Sequence, residues 1–117
     1  MLRTWGSVLT VSAMLLSGCA PHPGTGNWVP DEADNSGFVR IHVQYDGKMD
    51  FYRDGEDAAV MHCFWAGESE TAIGLQCTLA ENPDIEKHYK LRVVEGQHAE
   101  LLQGGDVIGR YRRSEKR

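Results

Sequence analysis

The chain has no apolar run long enough to cross a bilayer as a resident helix, which takes roughly 20 residues. Its longest such stretch, Val8 to Leu16, is broken by Thr10 and Ser12. Positive charge is scarce: 12 Lys and Arg stand against 17 Asp and Glu, a formal net charge of −5. That sign excludes nucleic acid as the natural partner, because a phosphate backbone demands a basic face. It also argues against broad electrostatic docking onto anionic lipid headgroups. Arg110, Arg112, Arg113, Lys116 and Arg117 form a local exception at the C-terminal end. They read either as a solvated last strand and tail or as a contact for an acidic envelope component.

Catalytic patterns are missing as well. The strained Gly-x-Ser-x-Gly turn that exposes a nucleophile is absent, and Ser36 and Ser69 fall in apparent turns with no base beside them. Of the five histidines, His22, His42, His62, His88 and His98, no two share a paired-ligand spacing such as His-x-His. The acidic stretch Glu32 to Gly37 brushes the calcium-loop pattern, but its twelfth position is Val43, where a bidentate carboxylate is needed. Carboxylates are plentiful, yet none stands in an apolar setting that would raise its pKa for glycoside cleavage. The expectation is a non-enzyme without metal or cofactor.

What is present begins with an address. Arg3 supplies a positive n-region, Val8 to Leu16 a short apolar core, and Leu16-Ser17-Gly18-Cys19 follows. This arrangement resembles the export signal and lipobox of bacterial lipoproteins. The resemblance implies cleavage of residues 1–18, lipidation of Cys19 (a diacylglyceryl group on the thiol, then acylation of the new N-terminus) and a stable membrane tether through several acyl chains. Ala20, rather than an aspartate, after the cysteine implies sorting to the periplasmic leaflet of the outer membrane.

Loss of the signal, with Arg3, leaves 99 residues carrying 11 basic against 17 acidic side chains. A single small domain of that size is marginally stable without help. Two cysteines remain, Cys63 and Cys77, and in an oxidising compartment they are most simply a disulfide. Such a link contributes roughly 3 kcal/mol in the loop-entropy treatment. A metal site formed by Cys63 and His62 is disfavoured, because adjacent strand residues point to opposite faces.

Residues 19–26 read as the lipidated cysteine plus a Pro/Gly linker, residues 27–113 as a β domain, and residues 114–117 as a basic tail. Val39, Ile41 and Val43 alternate with polar residues, and Met49 and Phe51 return after Asp46-Gly47. A two-residue loop would mix polar and apolar residues on each face. A three-residue loop with Gly47 in a left-handed bulge pairs Val43 with Met49 and Ile41 with Phe51, so the bulged turn is predicted. Ala58 to Trp65 and Ala72 to Leu79 form the next hairpin, with Cys63 opposite Cys77 and Trp65 opposite Leu75. Asn82 and Pro83 suggest one capped helical turn over residues 82–87. Tyr89, Leu91 and Val93 then alternate, His98 to Gln103 follows, and Gly104-Gly105 turns into Val107 to Arg112. Seven strands, or eight if Asn27 to Pro30 pairs, predict an all-β antiparallel meander curled into a small barrel or clam.

Gly26-Asn27-Trp28 is similar to the Gly-x-Trp that opens the first strand of lipocalins, which implies a tryptophan plugging one barrel end and an apolar small-molecule ligand. A full lipocalin is longer than this domain. The small acidic disulfide-bearing meander also resembles the membrane-bound inhibitors of C-type lysozyme, whose late loop Gly109-Arg110-Tyr111 partly matches, without the serine expected ahead of it. Small-molecule sites are mostly apolar, so Trp28, Phe51 and Trp65 are the candidate ligand-binding residues, against the alternative that they simply fill the core. Phe64 falls on the opposite phase from Trp65, where an aromatic marks a protein contact or lies under a covering linker. Expected partners are the membrane through Cys19, a small apolar ligand, or a basic envelope protein such as lysozyme. The expected function is a tethered binding module, the alternatives being an inhibitor of a lytic enzyme or a structural accessory.

Overall fold

The computed structural model describes residues 21–31 and 36–114. The expected signal segment 1–18, Cys19 and tail residues 115–117 lie outside them, as do residues 32–35 of the acidic stretch. Alternation of apolar and polar residues generates eight strands. They are β1 (Gly26–Pro30), β2 (Phe38–Val43), β3 (Lys48–Arg53), β4 (Met61–Gly67), β5 (Ala72–Leu79), β6 (Glu86–Val94), β7 (His98–Gln103) and β8 (Asp106–Arg113). Each pairs antiparallel with the next, and β1 pairs with β8 through Trp28–Arg113, Val29–Arg112 and Pro30–Tyr111. The meander is therefore a closed barrel with no free edge to invite pairing with another chain.

The inward phase is clearest in β6, where Tyr89, Leu91 and Val93 are buried and His88, Lys90 and Arg92 are exposed. The largest wholly enclosed side chains are Trp28, Tyr111 and Phe51. Aromatic stacking runs through the middle: Phe38 lies 4.7 Å from Phe51, and Phe51 lies 5.6 Å from Tyr89, ring centre to ring centre.

The β2–β3 hairpin has the bulged register, Val43 opposite Met49 and Ile41 opposite Phe51, with Gly47 at φ 93°. At the other end of the same pair the ladder slips between Phe38 and Arg40. That bulge turns Val39 outward (38% exposed) and places Phe38 inside. A period of two starting at Val39 cannot anticipate this, because one inserted residue reverses the phase.

In the β4–β5 hairpin Cys63 faces Cys77 and Trp65 faces Leu75, and the two cysteines are disulfide-bonded. The Glu68 N–H donates to the Ala72 carbonyl at 2.9 Å. This puts the hydrogen-bonded pairs at even positions of β4 and Cys63–Cys77 at a non-bonded pair, where strands approach most closely. Their Cα atoms are 4.0 Å apart. The strand expected from Ala58 begins only at Met61, and residues 58–60 run along one mouth of the barrel instead.

The helical turn expected over residues 82–87 is a β-turn. The Ile85 N–H donates to the Asn82 carbonyl at 3.0 Å, and the Asp84 N–H to the Asn82 side chain at 3.2 Å. Asn82 and Pro83 play the local roles their chemistry suggests. Glu86 is already laddered to Thr78 in β5, so no residues remain to extend the turn into a helix.

Candidate functional site

The two ends of the barrel differ. One end carries the turns 44–47, 68–71 and 95–97 and receives the chain entering β1. Residues 22–25, expected to be a plain linker, fold across it. The Gly24 N–H donates to His22 Nδ1 at 2.9 Å, which leaves the proton on Nε2 to bond the Ser69 carbonyl at 2.8 Å. The His22 ring also meets Trp65 edge-on, with centroids 6.0 Å apart. The Trp28 indole N–H donates to the Gly24 carbonyl at 2.9 Å. Arg113 closes the seam, donating to the carbonyls of Thr25 (2.8 Å), Pro23 (2.7 Å) and Gly96 (3.1 Å). This linker end is sealed by protein.

The far end, bounded by the loops 54–60 and 80–85, is hollow. A cavity of about 560 Å³ opens there. Its buried lining is Phe38, Met61 and Tyr89, flanked by Ala58, Ala59, Val60, Leu79 and Ala80, with Arg53, Glu56, Glu81, Lys87 and Gln103 at the polar rim. Burial pushes the Tyr89 phenol above its ordinary value, and the positive charge of Arg53 pulls it partly back. A larger hollow of about 740 Å³ lies beside the linker end, lined by Asn27, His42, Gln44, Asp46 and Arg113 together with Val43 and Tyr45.

Trp28, Phe51 and Trp65 do not line the far-end cavity. Trp28 is fully enclosed at the linker end, and Trp65 is half-buried there, its indole N–H bonded to the Gln44 carbonyl at 2.8 Å. Phe51 lies behind the cavity lining, against Phe38 and Tyr89. The residues that shape the hollow, above all Arg53 and Lys87, escaped the sequence reading. The one available signal was a charged residue standing on the inward phase of β3 and of β6.

The outer face carries polar pairs and one aromatic. His62 Nδ1 lies 2.8 Å from Asp50, and His88 lies 3.1 Å from Glu86. A hydrogen bond from Gln76, helped by His88, holds the Glu86 carboxyl below the usual range. Phe64 is 68% exposed over this surface. Among the described residues no group of three His, Cys, Asp or Glu side chains is placed to hold a metal ion.

No protein-family model, curated protein or solved structure matches the chain.

Proposed function

We propose that the protein is a lipoprotein, cleaved before Cys19 and tethered by lipid on that residue to the periplasmic face of the outer membrane. Its barrel serves as a non-enzymatic binding module for an apolar small molecule. The observation that carries the binding reading is the cavity of about 560 Å³ at the far end, within the ~300–1,000 Å³ range of small-molecule sites. Its lining sets the buried Phe38, Met61 and Tyr89 beneath a rim of Arg53, Glu56, Glu81, Lys87 and Gln103, so that an apolar body would sit below a polar mouth. Only Ala20 and Pro21 separate Cys19 from the seated His22, a span of about 10 Å. A tether that short favours an orientation with the sealed end toward the lipid and the mouth away from it.

The test is native mass spectrometry of the processed protein, paired with solvent extraction. The expected result is a covalent lipid mass on Cys19 and a separate, extractable apolar adduct. An unmodified Cys19 would end the tether reading, and a clean apo mass would end the carrier reading.

A second reading, inhibition of a basic lytic enzyme such as lysozyme, is favoured by exposed Phe64 and the acidic excess of the chain, with Asp50 and Glu86 beside Lys48 and His62 around the same shallow hollow. Opposite charge would steer such a partner. That reading predicts stoichiometric loss of muramidase activity and its recovery in Phe64→Ser.

A further inference from the structure

We propose that the far-end cavity takes a single-chain amphiphile with an anionic head, the head held by Arg53, Lys87 and the Tyr89 hydroxyl. This rests on the binding-module reading above and names the ligand class of that site.

The first observation is positional. On β3 the inward residues are Met49 and Phe51, and Arg53 continues their phase at the mouth. On β6 Lys87 precedes Tyr89 and Leu91 on the inward phase and is half-buried. Two cations thus stand where the alternation otherwise places apolar side chains. Among the described residues neither forms an ion pair; on the outer face Lys90, Arg92 and Arg110 do, and Arg40, Lys48 and Arg112 do not. Arg53 instead lies 4.5 Å over the Phe38 ring. Glu56 and Glu81 also border the cavity and are exposed, as Arg53 is, but neither pairs with Arg53 or Lys87. The cations are left to answer a charge brought from outside.

The second observation is independent of charge. Tyr89 is 8% exposed and lines the cavity, and among the described residues its hydroxyl has one partner, Met61 Sδ at 3.9 Å. A thioether is a weak acceptor, and a buried hydroxyl without a strong one is costly. A carboxylate or phosphate oxygen supplies that acceptor and the counter-charge together. The apolar flank formed by Ala58, Val60 and Leu79 then accounts for a hydrocarbon body, which an inorganic anion lacks. A neutral apolar ligand would cover two cations and a phenol without satisfying any of them.

The experiment uses the processed full-length protein in phosphatidylcholine nanodiscs. It is irradiated with a diazirine-bearing laurate or with the methyl ester of that probe, and adducts are mapped by peptide mass spectrometry. The acid should label residues 58–61 and 79–80 at least tenfold more than the ester, equivalent to about 1.4 kcal/mol. The double variant R53Q/K87Q should bring the acid down to the level of the ester and leave the ester unchanged. Equal labelling by acid and ester in the wild-type protein would overturn the anionic head while leaving apolar binding intact. No adduct in the cavity from either probe would overturn both. Displacement of the probe by unlabelled laurate or by lysophosphatidate identifies the head as carboxylate or phosphate. Displacement by dodecanol with neither of these active would overturn the proposal.

Discussion

Arg113 stands directly across the ladder from Trp28, its guanidinium carbon 4.3 Å from the centre of the indole ring. One side chain therefore covers the plug of the barrel, bridges the β1–β8 seam and ties down the segment that enters β1 through carbonyls of Pro23 and Thr25. Charge-assisted bonds of this kind are worth about 1.5–3 kcal/mol. Replacement Arg113→Gln should lower stability by about 2 kcal/mol, a fall of roughly 8–16 °C in Tm for a domain this size. Thermal melts of the two proteins decide the matter, and an unchanged Tm would show that the backbone ladder alone holds the seam.

The Cys63–Cys77 link joins residues 14 apart in sequence. For a loop of that length, removing the bond should cost about 3 kcal/mol. Urea denaturation of Cys63→Ala/Cys77→Ala measures it, and iodoacetamide without reductant should leave both cysteines of the wild-type protein unlabelled. A loss below about 1 kcal/mol would mean that residual hairpin structure already restricts this loop in the unfolded ensemble.

Tyr89 gives the protein an alkaline limit. Its folded pKa is raised, so the native state holds the phenolic proton more tightly than the unfolded chain does. The associated stability is fully present below the ordinary tyrosine pKa of about 10 and is lost as pH rises through the folded value. Denaturation midpoints between about pH 8 and 11 should fall in the wild-type protein and fall less in Tyr89→Phe. Parallel curves would mean that the phenol is free to reach water.

Gly47 tests the hairpin register. At φ 93° an L side chain is strained, while the nearest atom to an added Cβ, the Trp65 carbonyl oxygen, is 4.0 Å away. Gly47→Ala should therefore cost about 1–2 kcal/mol from backbone conformation alone. A neutral result would show that the turn relaxes to another type.

The β character, seven of the eight strands, the Gly47 bulge and the pairing of Cys63 with Cys77 are legible because each follows from period-two alternation or from one glycine or cysteine at a fixed offset. Near Asn82 a cap and a proline serve a β-turn as well as a helical turn, and only the ladder beginning at Glu86 decides between them. The bulge between Phe38 and Arg40, unlike the one at Gly47, is not set by a hairpin register, yet it turns Val39 outward and Phe38 inward.

The candidate site was less legible. An aromatic residue suits a pocket and a plug equally well in sequence, and in the fold Trp28 seals one end while Trp65 packs beneath His22.

By itself the sequence determined the class of the domain, the faces of its strands and the disulfide, since these are set by neighbours within a strand or a hairpin. Only the tertiary structure decided that β1 meets β8, that residues 22–25 fold over one end, and that Arg53 and Lys87 meet Tyr89 around one hollow. Those relationships join residues far apart in the chain, and closing the sheet into a barrel is what brings them together.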